Sequence, residues 1–253
     1  VNANAASAPV AITAELFGLL ETAQQYSRLS SGVFDITYAS VGYLYDYRAH
    51  KRPDDKTIAA ALPTVDYRQL KLDPVARTVA FGKPGMRIDL GGIAKGHAVD
   101  RGIDILKARG IGHAMVNAGG DTRVSGDRFG KPWVIGIRHP DDKDKVVLRI
   151  PLEDAAFSTS GDYERFFDEG GVRYHHILDP KTGRSPHAVR SVTLISSTAT
   201  RTDGLSKTVF ILGPKAGLDF INTLPDVDAV VIAADGKVSY SKGLQAPQNQ
   251  KDK

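Results

Sequence analysis

The stretch RIDLGGIAKGHAVDRG, residues 87–102, decides how the rest of the chain is read. Met86, Ile88 and Leu90 form an apolar lead-in to paired glycines at Gly91 and Gly92, and an amphipathic segment then runs to Arg109 before Gly110 stops it. This pattern predicts strand, glycine turn and helix. Glycines at such a turn let a ligand approach the backbone closely, and the helix start offers unpaired N–H groups and a positive dipole end to an anion. A tight strand-to-helix connection with no ligand explains the same residues, so the motif alone leaves both readings open. Two phosphate motifs fail here. The P-loop needs a lysine directly after its last glycine, but Gly96 is followed by His97 and Lys95 precedes it; the GxGxxG fingerprint is absent as well.

Outward from this motif, 253 residues with 42% hydrophobic and 25% charged side chains describe an ordinary globular protein with a sizeable core. The net charge of +4 is mild and its positive residues are dispersed, which argues against nucleic acid and suits a small anionic substrate equally well. The absence of cysteine excludes a disulfide framework, a thiolate metal site and a catalytic thiol. No run approaches the roughly 20 apolar residues of a membrane span and no signal peptide is present, so the expectation is a soluble protein or the mature form of an exported one. The opening VNANAASAP reads as the middle of something rather than a natural beginning.

Before the motif, Leu16, Leu19, Leu20 and Ala23 recur at helical spacing behind a possible Thr13 cap, and Ser30, Ser31 and Gly32 break the pattern. Tyr38, Tyr43, Tyr45 and Tyr47 form either a satellite core or a stacking surface for a planar ligand. Pro53–Leu62 predicts a short surface helix, and VDYRQLKLD and RTVAFGKPGMRIDL alternate as strands leading into the motif.

After it, HAMVNAGGD is a strand ending on Asn117, Gly119, Gly120 and Asp121, readable as a hairpin or as a site. PWVIGIR, KVVLRIP and AAFSTSG follow as strands, with Trp133 placed in the core. In VRYHHILDP a strand would point His175 and His176 to opposite faces, so that only one enters any given site. A strand SVTLISS and a helix TATRTDGLSKTVFILG follow; Asp203 is placed in that helix's first turn, where its dipole favours a carboxylate, and Lys207 lies one turn on, within pairing distance. A further helix from Lys215, strands DAVVIAA and VSYS, and a polar tail over 245–253 complete the chain, with no internal repeat and no dividing linker.

With these pieces in place the chain resembles the ApbE family, the FAD:protein FMN transferases. The matching strings are SGVFDIT, RIDLGGIAKGHAVDRG, VNAGGD, STSGDYERFF, YHHILDPKTG and TDGLSKTVFILG, in the family's order and covering nearly all of Ser31 to Gly213. The resemblance implies an α+β, T-fold-like structure of mainly antiparallel sheets packed with helices, as a single domain over residues 1–244. It implies that FAD is bound with a divalent metal, usually Mg²⁺, and that its FMN half is moved onto a Thr or Ser of a partner protein with release of AMP. A family member that binds FAD without transferring it is the alternative. The expected acceptor is a subunit of a membrane redox complex with an extracytoplasmic flavin domain, and the expected compartment is periplasmic or extracytoplasmic. Membrane association is expected only through a removed N-terminal anchor.

By the same analogy, Gly91, Gly92 and Lys95 would hold the pyrophosphate, and the Gly92 carbonyl and Asp203 carboxylate would ligate the metal. His176 would be the base or a phosphate ligand, Asp89, Asn117 and Asp121 would support the site, and Ser160, Gly161 and Glu164 would form a second FAD-contacting loop. The chain departs from the family in two places. Lys207 stands where many relatives carry a metal-ligating Thr; an ammonium cannot ligate a metal, and it could pair with Asp203 or act as a cation beside the pyrophosphate. A strand and helix that usually precede this starting point are absent from the sequence.

Overall fold

The computed structural model describes residues 1–140 and 146–244; the tail expected over 245–253 lies outside the described residues. In chain order the elements are β1 (Val10–Ala11), α1 (Ala14–Leu29), α2 (Ala39–Gly42), α3 (Asp55–Ala61), β2 (Leu70–Asp73), β3 (Thr78–Phe81) and α4 (Ala94–Ala108). Then come β4 (Ala114–Ala118), β5 (Asp121–Ser125), β6 (Trp133–Arg138), β7 (Val146–Leu152), β8 (Ala156–Gly161), β9 (Phe166–Glu169) and β10 (Val172–His175). The series ends with β11 (Val189–Ser196), α5 (Ala199–Leu212), α6 (Pro214–Ile221), β12 (Val227–Ala233) and β13 (Val238–Tyr240). The chain packs as two compact units, each built from two separate stretches.

The first unit comprises Val1–Ala94 and Glu164–Pro186. Its helix α1 starts as expected, with the Thr13 hydroxyl accepting the Leu16 N–H, and its apolar face, Leu19, Leu20 and Ala23, enters a core with Val79, Phe81 and Met86. Strands β1, β3 and β2 form one antiparallel sheet and β9 pairs with β10. Of the tyrosines, Tyr45 and Tyr47 are buried and stacked at 5.7 Å beside Phe167, so they build a satellite core. Tyr43 stays exposed under the Arg87 guanidinium.

One expectation is corrected here: residues 86–90 belong to no strand. Their polar groups find single partners instead of a ladder. The Asn2 side chain bonds both the N–H and the carbonyl of Ile88, the Ser40 hydroxyl accepts the Arg87 N–H, and the Ile36 carbonyl accepts the Asp89 N–H. Buried backbone groups need partners, but nothing requires those partners to be a strand.

The second unit comprises Lys95–Tyr163 and the described part of His187–Lys253. Its sheet is antiparallel throughout, in the order β13-β12-β11-β8-β5-β4, and β6 pairs with β7. Central β11 is buried along almost its whole length, including its Ser191, Thr193 and Ser196 positions. Helix α5 lies on β8 and β11, fastened by hydroxyl pairs Ser158–Thr202 at 2.7 Å and Ser160–Ser206 at 2.8 Å. Trp133 is half-buried at the edge of the apolar cluster around Ile135 and Leu152, its indole N–H donated to the Gly126 carbonyl. The mixed α+β, mainly antiparallel architecture is the one the sequence implied.

Candidate functional site

In the first unit the motif closes on Asp89. Its Oδ1 accepts the Gly91 N–H at 2.7 Å and the Tyr38 hydroxyl at 3.2 Å. Gly91 does not have a left-handed backbone. A side chain there would sit 2.8 Å from Asp89 Oδ1, so it is the carboxylate's position over the turn that asks for glycine. Gly92 follows in the same turn, ahead of α4. Burial, followed by the charge of Asp89, raises the Tyr38 hydroxyl far above its usual pKa, which keeps it a neutral donor to that carboxylate. His175 ends β10 and His176 lies just past it: His175 is buried, with Nε2 against the Pro186 carbonyl, whereas His176 is half-exposed beside the Arg165 carbonyl. Glu164 is exposed.

In the second unit four ionic side chains converge. Asp121 opens β5, directly after a two-residue Gly119-Gly120 turn whose φ values of 56° and 95° need glycine, so this segment is a hairpin that also delivers a carboxylate to the cluster. Asn117, across the hairpin, donates to Thr122. The Lys95 ammonium reaches Asp121 Oδ2 and lies 3.7 Å from Asp203 Oδ1, and Lys207 pairs with the same Asp203 oxygen. The Gly96 N–H donates to Asp203 Oδ2 at 3.1 Å. Asp121 and Asp203 are almost completely buried, while Lys95 and Lys207 keep 42% and 15% of their side chains exposed. The Ser160 hydroxyl is occupied by Ser206, and a side chain on Gly161 would overlap the Tyr163 ring.

The two carboxylates are not equivalent. Burial pushes Asp121 up, the neighbouring Asp203 charge adds to this, and the two together outweigh what Lys207 and Lys95 take away. Burial acts the same way on Asp203, but Lys207, Lys95 and the Gly96 N–H together overcome it and hold Asp203 below the ordinary carboxylate range.

A second correction concerns α5. Asp203 is not in its first turn; the carboxylate at that helix start is Asp100, from α4. Asp100 accepts the Ala199 N–H and the Thr200 N–H, both at 2.8 Å, and the Thr200 hydroxyl at 2.6 Å, with Arg123 on its outer side. Asp100 was not among the expected residues. Its signal is a charge on the stripe Gly96, Val99, Asp100, Ile103, which is the buried face of α4. Gly96 is on that face because a side chain there would lie 2.2 Å from the Ala199 carbonyl oxygen.

Whether these residues suit a divalent ion is tested by one atom: Asp121 Oδ1 is buried and has no hydrogen-bond partner. An orphaned carboxylate oxygen beside a second carboxylate is a hard donor pair of the kind Mg²⁺ takes, with substrate phosphates completing the shell. Among the described residues no group of three or more His, Asp or Glu could hold a metal unaided. The donor set therefore fits Mg²⁺ in company with a phosphate ligand, and Lys207, an ammonium, is not one of the donors.

Comparison with known proteins agrees with the motif order. The model of the ApbE family matches residues 1–231. The chain is 34% identical to the FAD:protein FMN transferase of Treponema pallidum, over 96% of this chain and 72% of that protein. It is 30% identical to a protein of the same name from Klebsiella pneumoniae, over 95% and 76%. The crystal structure of the ApbE protein of Thermotoga maritima superposes with a TM-score of 0.88 at 35% identity, over 94% of this chain and 79% of that one. The flavin transferase ApbE of Vibrio cholerae gives 0.82 at 31% identity, over 94% and 78%.

Proposed function

The chain belongs to the ApbE family, and from that premise we infer that it is an FAD:protein FMN transferase. It moves FMN from FAD onto a Thr or Ser hydroxyl of a partner protein and releases AMP. The observation that carries this reading is the ionic cluster of Lys95, Asp121, Asp203 and Lys207, two cations and two carboxylates held on rigid elements.

Phosphoryl transfer asks mainly for positioning and for charge on the non-bridging oxygens. Lys95 and Lys207 would supply positive charge to the FAD pyrophosphate, and Asp121 and Asp203 would hold Mg²⁺, with the Gly92 carbonyl assigned as a further ligand through the family's pattern. When bound, Mg²⁺ polarises the phosphoryl oxygens and neutralises charge that develops on them. The acceptor oxygen forms a bond to the FMN phosphorus as the bond to the AMP oxygen breaks. His176 takes the hydroxyl proton, and AMP leaves with the electron pair. Asp89, Gly91, Asn117, Ser160, Gly161 and Glu164 are assigned to FAD binding through the family's pattern.

The proposed acceptor is the extracytoplasmic flavin domain of a membrane redox complex, and the proposed compartment is outside the cytoplasmic membrane. Incubation of such a domain with FAD and Mg²⁺ is expected to add one FMN to its intact mass and to release AMP; the absence of an adduct on every flavin-acceptor domain tried overturns the assignment. The hold of Lys207 on Asp203 favours one second reading, an FAD binder without transfer. Under that reading Lys207→Thr gains transfer or Mg²⁺ dependence, whereas an adapted enzyme loses activity.

A further inference from the structure

The charges of the cluster sum to zero before any ligand arrives. Asp121 and Asp203 contribute two negative charges, and Lys95 and Lys207 two positive ones. Lys207 lies one turn from Asp203 on α5 and pairs with its Oδ1, the same oxygen Lys95 approaches at 3.7 Å. A dication entering this neutral group would leave two uncompensated positive charges beside carboxylates that are almost completely buried. A diphosphate entering alone would leave excess negative charge. Entering together, the two cancel. Asp121 Oδ1, buried and without a hydrogen-bond partner, is the oxygen left ready for the incoming cation.

We propose that Lys207 is a resident counter-ion that holds Asp203 in the free protein and makes divalent metal and the nucleotide diphosphate bind as a pair. This deepens the transferase reading and rests on it for the identity of the nucleotide as FAD. Lys207 acts here as a positioning residue: the pyrophosphate draws its ammonium off Asp203, and the oxygen it releases becomes available to the metal. Because binding couplings are reciprocal, metal must strengthen FAD binding by the same factor by which FAD strengthens metal binding.

Mn²⁺, followed by electron paramagnetic resonance, is the probe. The wild-type protein is expected to bind Mn²⁺ at least fivefold more tightly with FAD present than without it. Lys207→Gln, without FAD, is expected to bind Mn²⁺ at least fivefold more tightly than wild type, and Lys207→Arg, which keeps the charge, is expected to bind it as weakly as wild type. A smaller difference in either comparison overturns the proposal; if Lys207→Gln does not fold, the wild-type comparison and Lys207→Met decide it. FAD binding is measured separately by flavin fluorescence. Failure there removes the transferase reading, while the metal-only comparison of wild type and Lys207→Gln still judges Lys207.

Discussion

At the start of α5 the Asp100 carboxylate receives two backbone N–H groups and a hydroxyl, with one guanidinium, Arg123, on its outer side, while one turn further along the same helix Asp203 receives a single N–H and two ammonium groups. Both acids are buried, and both connect α4 to α5. The difference is in what their partners can do. Donors built into the helix start cannot leave, so Asp100 is fixed. Lysine side chains can swing to another anion, so Asp203 can exchange partners without any change in the backbone. A carboxylate tied down by peptide groups builds structure; one held chiefly by flexible cations is available for chemistry.

Asp203→Asn sharpens this contrast most. It is expected to lower the proposed FMN transfer by about 10²–10³-fold, the usual effect of removing one preorganised electrostatic group, and to cost about 3 kcal/mol by leaving Lys207 without its carboxylate; acceptor labelling and urea unfolding read the two effects. Gly96→Ala comes next. Its new methyl meets the Ala199 carbonyl, and overpacking of this kind costs about 1–3 kcal/mol in urea unfolding.

Asp100→Asn is expected to cost about 1–2 kcal/mol through its weaker hold on the helix start, with FAD affinity unchanged by equilibrium dialysis at a temperature where the variant is folded. A drop in affinity in the fully folded variant would break the distinction between the two acids.

Asp121→Asn is the smallest effect and has the opposite sign. Because burial and Asp203 raise the Asp121 pKa above its ordinary value of 3.8, the ionised carboxylate weakens the metal-free fold at neutral pH. The variant should melt higher than wild type there in the presence of a chelator. Its advantage should disappear as the pH falls through the raised pKa and Asp121 becomes neutral. Asp203 behaves in reverse. Its pKa is lowered, so its contribution is present above the ordinary carboxylate range and lost only as the pH falls below that range. Melting curves of the two variants against pH should therefore converge on wild type in different windows.

Features set by neighbours along the chain were legible before the structure: the Thr13 cap, the stop at Gly110, the short helix after Pro53, and Lys207 one turn from Asp203. Features set by distant partners were not. Residues 86–90 alternate like a strand, and only partners far away in sequence, Asn2, Ile36 and Ser40, show why they pair with no strand. Asp203 resembled a first-turn acid because Asp100, which takes that role, lies on another helix. The site residues were named through the order of six motifs, since no single motif distinguishes an anion site from a bare turn.

The satellite core of the first unit joins Val41, Tyr45, Tyr47 and Ile58 to Phe167 and Leu178. During synthesis the early residues leave the ribosome long before the late ones exist. At about 10 residues per second the tyrosines stay uncovered for roughly ten seconds. The nascent chain therefore carries a sticky, half-built aromatic cluster through that interval, and a translational pause before Phe167 would lengthen its exposure to chaperones or to aggregation.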